Sequence, residues 1–310
     1  MVFLVGSSCI ENTGKLPSGD ISSEGNAGPY IMVLGIAQDA GYPQMNCMKE
    51  CCRDAWSDPD KVRFPTCLGL VDPESERCWL FEATPEIKWQ WQNLKKKSSA
   101  KLSGIFLTHA HIGHYTGLSQ LGREVMGTMQ MPVFAMPRMR SFIRENGPWN
   151  QLVSLKNIDL LALQADSVLK LTNSIEILPI EVPHRDEYSE TVGFKISGAT
   201  RSILFIPDID KWSKWSQNLT EHLKEVDIAL IDGSFYEDGE LPNRDMSEIP
   251  HPFVVETMKA LEHSPSTERN KVYFIHLNHT NPLLQEGSAP YNEVYEAGMH
   301  IATEGQVITI

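Results

Sequence analysis

The sequence has no long apolar run and little positive charge. No stretch approaches the about 18 consecutive apolar residues that a membrane-spanning helix needs. Lysine and arginine total 27 against 40 aspartates and glutamates, which gives a formal net charge of -13. Because nucleic-acid binding relies on basic side chains that neutralise phosphates, this balance argues against a nucleic-acid partner. We therefore expect a small-molecule substrate.

Cysteine is also scarce, and its distribution is uneven. The chain has 6 cysteines in 310 residues, and Cys47, Cys51 and Cys52 lie close together. Such clustering indicates a metal site rather than a disulfide framework, since three thiolates can bind one tetrahedral ion. Cys67 and Cys78 each lie inside an apolar run and are expected to be small core residues.

The first 29 residues differ in composition from the rest. Residues 1–5 form a short apolar run before Cys9, and the following segment is rich in glycine, serine and asparagine. This composition is typical of a flexible tether. A cysteine after such a run is also typical of a lipoprotein, although the usual basic residues are missing. Two alternatives stay open: an envelope protein whose only membrane contact is a lipid on Cys9, and a cytoplasmic protein with a frayed terminus.

From residue 30 onward, β-type runs alternate with helical stretches. The predicted strands are 31–36, 67–71, 78–82, 102–107, 132–136, 174–182, 192–197, 201–206, 227–231 and 271–275, and the predicted helices are 85–94, 115–126, 137–146, 212–223 and 253–261. No linker-like segment divides this region. We therefore expect one α/β domain with two sheet-bearing halves over residues 30–310.

Three histidines follow the strand predicted at 102–107. His109 and His111 lie on the same side of their segment if it is extended, because side chains alternate along a strand. The turn that follows can bring His114 to the same side. Convergent neutral imidazoles bind zinc and similar ions. The position after a strand is where open α/β folds place their ligands. The pattern favours a metal site over its alternative, three solvated histidines.

The run from Leu107 to Leu118 resembles the H-x-H-x-D-H signature of the metallo-β-lactamase superfamily. Further residues resemble the later motifs of that family in the same order. The resemblance implies a four-layer αββα sandwich over residues 30–310, with metal bound between the sheet edges. The active-site metal ligands that it implies are His109, His111, His114, His184, Asp208 and His276.

Two branches of that superfamily resemble the chain in more detail. Segments 41–47, 82–87 and 276–282 are similar to the B protein of pyrroloquinoline quinone biosynthesis, and a related branch is the cyclic-phosphate phosphodiesterase of the carbon-phosphorus lyase pathway. The latter branch implies a structural zinc with the ligands Cys47, Cys51, Cys52 and His279. The spacing here is C-x-x-x-C-C rather than C-x-C-x-x-C, so one of Cys51 and Cys52 remains a potential bystander.

The signature departs from the family at Gly113, where the family has an aspartate that binds a second metal. Glycine offers no ligand atom, so we expect the first metal site to be intact and the second to be weak or empty. Asp232 and His251 are the predicted replacements. The alternative is that Asp232 only caps its strand and that His251 is a surface residue.

These residues predict a metal-dependent hydrolase that acts on a small ester, lactone or phosphodiester. One or two active-site zinc ions, with manganese or iron as alternatives, would activate water, in addition to one structural zinc. Asp208 would orient the nucleophile, and His251 or His276 would stabilise the oxyanion. Two other functions stay open: an iron-dependent oxidative enzyme like the quinone-biosynthesis relatives, and a metal-binding protein without turnover. The sequence does not decide between a monomer and a homodimer.

Overall fold

The structure is a computed structural model that describes residues 28–310. The predicted tether up to residue 27, with the predicted lipid on Cys9, lies outside the described residues. Within residues 28–310, no helix has both the length and the apolarity needed to cross a bilayer.

The N-terminal half contributes most of the first seven-stranded sheet. Its strands are β1 (Tyr30–Gly35), β2 (Cys67–Asp72), β3 (Arg77–Phe81), β4 (Lys101–Phe106), β5 (Met131–Ala135), β6 (Ile158–Ala162) and β14 (Val307–Thr309), in the spatial order β14-β1-β2-β3-β4-β5-β6. Strands β3 to β6 are parallel, and the rest pair antiparallel. The sequence prediction missed β6 and β14.

The C-terminal half forms the second seven-stranded sheet. Its strands are β7 (Leu169–Lys170), β8 (Glu176–Glu181), β9 (Val192–Ser197), β10 (Ser202–Ile206), β11 (Ile228–Asp232), β12 (Val272–Ile275) and β13 (His300–Ile301), in the order β13-β12-β11-β10-β9-β8-β7. Strands β10 to β13 are parallel. Their carboxyl ends therefore lie at one edge of the sheet, which is where side chains for a site can converge.

Buried aromatic rings join the two sheets. Phe81 of the first sheet lies 5.3 Å from Phe194 and 6.4 Å from Phe205 of the second, between ring centroids, with both pairs edge to face. All three side chains are fully buried. Burial of a phenylalanine stabilises the fold by about 1.5–3 kcal/mol, so this contact holds the sheets face to face.

Helices cover the outer faces of both sheets. They are α1 (Glu50–Arg53), α2 (Ile87–Lys97), α3 (Ile112–Tyr115), α4 (Pro137–Glu145), α5 (Trp149–Ser154), α6 (Leu219–Lys224), α7 (Val254–Ala260), α8 (Ser266–Arg269) and α9 (Ala289–Glu296). Leu94 of α2 packs in one core cluster with Leu80 of the first sheet, and Val294 of α9 packs with Phe274 of the second. The four-layer αββα sandwich predicted from the sequence is confirmed.

Two predicted helices are shorter than expected. The stretch predicted as a helix at 115–126 is instead the single turn α3 followed by the 3-10 segment Thr116–Leu121. The reason is a close approach of two backbones, because a Cβ at Gly117 would lie 2.0 Å from the carbonyl oxygen of Thr84. The helix predicted at 212–223 is also divided, and α6 begins only after Asn218, whose side chain accepts a hydrogen bond from Thr220 N.

Candidate metal centre

The carboxyl ends of four strands from both sheets meet at one edge of the sandwich. His109 follows β4, Asp208 follows β10, Asp232 ends β11 and His276 follows β12. His184 lies beyond the end of β8. These strands belong to two different sheets, so the site forms only when the sheets pack together. We call the resulting group of histidines and carboxylates the His/Asp centre.

One part of the His/Asp centre surrounds the Asp208 carboxylate. Ligand atoms of His109, His111, His184 and Asp208 all lie within 4.8 Å of one another. His109 Nε2 is 3.3 Å from Asp208 Oδ2, and His184 Nε2 is 3.2 Å from Asp208 Oδ1. The structure therefore brings together the four residues predicted for the first metal site.

The inward-facing atoms of this group lack hydrogen-bond partners within residues 28–310. They include His109 Nε2, His184 Nε2 and Asp208 Oδ1, and all three are buried. An unsatisfied buried polar atom costs about 1–3 kcal/mol, and native structures contain few of them. Orphaned nitrogens and a carboxylate oxygen that face one point are suited to bind a divalent ion. The four residues of this group therefore fit a divalent metal ion such as zinc.

The other part of the centre contains a carboxylate that the sequence analysis missed. Asp39 lies in the loop after β1, and its Oδ1 is 3.0 Å from His114 Nε2 and 3.6 Å from His276 Nε2. Ligand atoms of the three residues all lie within 4.8 Å of one another. The sequence offered one signal for Asp39, namely an acidic residue shortly after a strongly apolar run. Nothing local indicates that Asp39 lies near His114, which is 75 positions further along the chain.

Polar side chains face the outer ring nitrogens of three of the histidines, two of them through hydrogen bonds. Thr108 Oγ1 is hydrogen-bonded to His109 Nδ1 at 2.9 Å, and Ser234 Oγ is hydrogen-bonded to His276 Nδ1 at 2.8 Å. The buried Glu82 Oε1 lies 3.2 Å from His114 Nδ1. A partner at one ring nitrogen fixes the ring and presents the other nitrogen to a metal. The rings are therefore oriented by their surroundings.

Asp232 and His251 form a buried pair beside the centre. The Asp232 carboxylate accepts hydrogen bonds from Ile209 N, from the backbone and hydroxyl of Ser234, and from His251 Nδ1 at 2.8 Å. Asp232 thus holds His251 in place. Ligand atoms of Asp208, Asp232, His251 and His276 also lie within 4.8 Å of one another, so the replacement of the missing carboxylate by Asp232 and His251 stays a prediction. His251 is 3 % exposed, so the alternative of a surface histidine is wrong.

Mutual electrostatics set the protonation of these groups. Burial would raise the pKa of Asp208, but His184, His251 and neighbouring imidazoles outweigh it and hold that pKa well below its usual value. Burial lowers the pKa of His109 well below its usual value. For His251, burial is outweighed by the Asp232 and Asp208 carboxylates, which raise its pKa to about 9. At neutral pH, Asp208 is ionised, His109 is neutral and His251 carries a proton.

A second cluster, the Cys/His centre, lies near the end of β12. Ligand atoms of Cys47, Cys51, Cys52 and His279 all lie within 4.8 Å of one another. The three cysteines are not in disulfides. Cys51 and Cys52 are both on α1, and the structure brings the thiols of both into the cluster. Three thiols and an imidazole are a donor set typical of structural zinc.

Hydrogen bonds to the backbone hold the Cys/His centre. The Tyr42 hydroxyl donates to the Cys51 carbonyl at 2.6 Å, and Trp56 Nε1 donates to the Cys47 carbonyl at 2.7 Å. His279 Nδ1 is hydrogen-bonded to Asn278 Oδ1, which leaves Nε2 to face the thiols. Burial raises the pKa of the Cys52 thiol to about 12. The free thiol is thus favoured unless a cation replaces its proton.

A cavity of about 300 Å³ borders both centres. Its walls include Asp39 of the His/Asp centre, the neighbouring His251, and His279 of the Cys/His centre. Arg185 and Arg244 also line it. Two guanidinium groups at one cavity stand out in a chain whose net charge is -13. The arrangement therefore places cationic groups beside the candidate metal ligands.

Comparisons with known proteins agree with this architecture. The sequence profile described as "Beta-lactamase superfamily domain" matches residues 70–277. The chain is 25% identical to coenzyme PQQ synthesis protein B of Methylococcus capsulatus, over 90% of this chain and 99% of that protein. Among solved structures, Zn²⁺-bound PqqB from Methylobacterium extorquens has a TM-score of 0.77 and 20% identity, over 91% of this chain and 100% of that one. A diphosphatase of the PhnP family has a TM-score of 0.65 and 19% identity, over 90% and 96% of the two chains.

Proposed function

The chain belongs to the beta-lactamase superfamily, and we propose that it is a metal-dependent hydrolase of a small anionic phosphate ester or anhydride, such as a phosphodiester or a diphosphate. Members of this fold are mostly metal-dependent hydrolases. The observation that carries the proposal is the set of buried, orphaned ligand atoms around Asp208, which includes His109 Nε2 and His184 Nε2.

The donor set of this group suits zinc, and manganese and iron also accept it. His109, His111 and His184 supply imidazole nitrogens, and Asp208 supplies a carboxylate. A divalent ion held by these residues would supply a water whose pKa is lowered to about 7 and a Lewis acid for the bond under attack. Support for zinc in particular comes from the Zn²⁺-bound structure of the similar PqqB.

Two residues of the chain would act on the reacting groups. The ionised Asp208 carboxylate faces both parts of the His/Asp centre. It can accept a hydrogen bond from the attacking water and thereby orient that water. His251 lies 3.2 Å from Asp208 and is held by Asp232. Because the Asp232 carboxylate keeps a proton on His251 at neutral pH, this imidazole can donate to the oxygen on which negative charge develops.

The arginines of the cavity favour an anionic substrate over a neutral lactone. Arg185 and Arg244 can each bind a phosphate oxygen through charge-assisted hydrogen bonds, whereas a neutral lactone offers no charge for them. The cavity of about 300 Å³ is at the small end of ligand pockets, which fits a small molecule. The similarity to a PhnP-family diphosphatase supports the same substrate class.

The first test combines metal analysis with a hydrolysis assay. Protein purified without added metal is analysed for zinc, manganese and iron and assayed with bis(p-nitrophenyl) phosphate. We expect wild type to hydrolyse this phosphodiester and His111→Ala to lose both metal and activity. His263→Ala is the matched control, because the His263 side chain is 94% exposed and lies outside the centre. Metal without turnover on any ester would instead favour a binding protein, and equal activity in His111→Ala would contradict the proposal.

The substrate class is tested by removing the cavity charges. Arg185→Ala and Arg244→Ala should each raise the KM for the phosphodiester about tenfold, the loss expected for one charge-assisted hydrogen bond. Hydrolysis of a neutral lactone should not change. Arg123→Ala is the control, since Arg123 is exposed and does not line the cavity. Equal losses on both substrates would contradict the anionic assignment.

An oxidative role in quinone synthesis is the second candidate. It is favoured by the alignment of coenzyme PQQ synthesis protein B relatives over 99–100% of their own length. Iron at the His/Asp centre would supply redox chemistry with oxygen that zinc does not. The metal analysis separates the two, because iron in the portion that His111→Ala removes would favour this candidate over hydrolysis.

A further inference from the structure

The structure assigns a role to Asp39 that restores the site apparently lost at Gly113. We propose that Asp39 supplies the carboxylate ligand of a second active-site metal, from the loop after β1, and that Gly113 is a glycine because Asp39 occupies the space of its side chain. This inference rests on the proposed function, in that the His/Asp centre must first bind metal. It turns that centre from a one-metal into a two-metal site.

Steric exclusion links the two positions. A Cβ on residue 113 would lie 2.5 Å from Asp39 Oδ1 and 2.7 Å from Asp39 Cβ. No side chain fits there while Asp39 keeps its place. Gly113 lies within the helical turn α3 and has no positive φ, so its backbone conformation suits any residue. The same Cβ would also lie 2.4 Å from Asp39 Cα. The glycine is therefore needed for the close approach of Asp39, backbone and carboxylate together, and not for the turn.

The ligand atoms of Asp39, His114 and His276 converge. Asp39 Oδ1 lies 3.0 Å from His114 Nε2 and 3.6 Å from His276 Nε2. All three atoms are buried and have no hydrogen-bond partner within the described chain. The short contact between Asp39 and His114 is an ion pair only when His114 carries a proton, and it leaves His276 Nε2 without a partner within residues 28–310. A shared cation would satisfy all three.

The surroundings keep these groups in place. His276 is 0% exposed, and its outer nitrogen is bound to Ser234 Oγ at 2.8 Å. His114 is 1% exposed, with Glu82 beside its outer nitrogen. The loop of Asp39 is hydrogen-bonded to the residue after His276, since Leu277 N donates to Ile36 O and Gln38 N donates to Leu277 O. This pairing fixes the carboxylate next to the histidine that it faces.

Asp208 connects the two groups of ligands. Its Oδ2 lies 3.3 Å from His109 Nε2 in the first group and 3.7 Å from His114 Nε2 in the second. A carboxylate between two sets of ligands is suited to contact two ions at once. The chain thereby keeps two complete donor sets although its H-x-H-x-D-H signature is incomplete.

The test is a count of bound metal in Asp39→Asn. Asparagine keeps the size of the side chain and removes the charge. Zinc binding is measured by equilibrium dialysis with elemental analysis of the protein. Wild type should bind about three equivalents, one in the Cys/His centre and two in the His/Asp centre. Asp39→Asn should lose one equivalent, or bind it at least tenfold more weakly. Asp60→Asn is the control, because Asp60 is an exposed aspartate of the 3-10 segment Pro59–Lys61 and lies outside both centres.

Further variants separate this inference from the proposed function. Gly113→Ala should push Asp39 aside and lose the same equivalent while the one that His111→Ala removes stays bound. Unchanged stoichiometry in Asp39→Asn would overturn the inference, as would a wild type with a single metal in the His/Asp centre. If His111→Ala removes no metal at all, the proposed function fails as well. Metal counts do not depend on turnover, so an unsuitable assay substrate does not affect the result.

Discussion

The two clusters of ligand residues differ in what holds them. The His/Asp centre consists of side chains at strand ends of both sheets, and most of its ligands are fully buried, such as His276 and Asp208. The Cys/His centre joins the short helix α1 to the turn after β12, and Cys47, Cys51 and His279 are only partly buried. The first cluster is preorganised by the fold, and the second depends on its own contacts.

The size of the adjoining hydrophobic core explains this difference. The Cys/His centre adjoins a small cluster whose buried members are Ala37, Tyr42, Cys52 and Ala55. The His/Asp centre lies at the end of the large core that joins the two sheets. Metal in the first should stabilise the chain, because little apolar burial supports the segment. Metal in the second should serve chemistry, because the fold already holds its ligands.

The largest expected difference is in activity. His184→Ala should lower kcat/KM on the phosphodiester by on the order of 10³-fold, because the water is no longer acidified by a well-held ion. The midpoint of thermal unfolding in chelator should not fall, since the change removes an orphaned buried nitrogen. Steady-state kinetics and calorimetry measure the two effects. Activity within tenfold of wild type would show that the His/Asp centre is not the reaction site.

At the Cys/His centre, a substitution should lower the stability of the fold rather than the chemistry of the active site. Cys47→Ser should lose one zinc equivalent and lower the midpoint of unfolding by about 10 °C, as expected for a loss of several kcal/mol in a domain of this size. Chelator should destabilise wild type by a similar amount and this variant much less. Cys78→Ala is the control, because Cys78 is buried in β3 away from the cluster and should leave the zinc count unchanged. Equal sensitivity of wild type and variant to chelator would contradict the structural role.

A smaller effect, on metal affinity, should follow from removing the hydrogen bond that orients the His109 imidazole. Thr108→Val removes the hydrogen bond to His109 Nδ1 and keeps the side chain's shape. Metal affinity at this centre should fall about tenfold, the lower end for a group that orients a ligand. The Cys/His centre should keep its zinc. The exposed Thr303→Val is the control. An affinity equal to wild type would mean that packing alone fixes the His109 ring.

The two centres should also differ in how their zinc affinity depends on pH. Burial raises the pKa of Cys51 and Cys52, so zinc must displace their protons at neutral pH. Burial lowers the pKa of His109 and His111, so these ligands are already free of protons. From pH 7.5 to 6.5, zinc affinity should therefore fall about tenfold per displaced proton at the Cys/His centre and much less around Asp208. Chelator competition on Cys47→Ser and His184→Ala, each lacking one centre, measures this, and equal slopes would refute it.

Local patterns predicted much of the fold. The strands before His109, Asp208 and His276 were expected from short apolar runs, and the structure has β4, β10 and β12 at these places. Strand β6, at residues 158–162, was missed although it lies in a short, mostly apolar run between polar residues. The helix expected at 115–126 failed because Gly117 must pack on the backbone of Thr84, a contact that helical periodicity does not reveal.

The types of ligand and their order along the chain could be predicted from local sequence patterns. The three histidines before Tyr115 and the cysteines near α1 are close along the chain, so their chemistry has a local signature. The contacts of Asp39 with Gly113 and of Asp232 with His251 have no such signature and appear only in the folded chain. These pairs form when the two sheets pack face to face and bring distant strand ends together. The sequence pattern therefore indicates which residues are candidate ligands, whereas the packing of the two sheets determines which of them lie in contact.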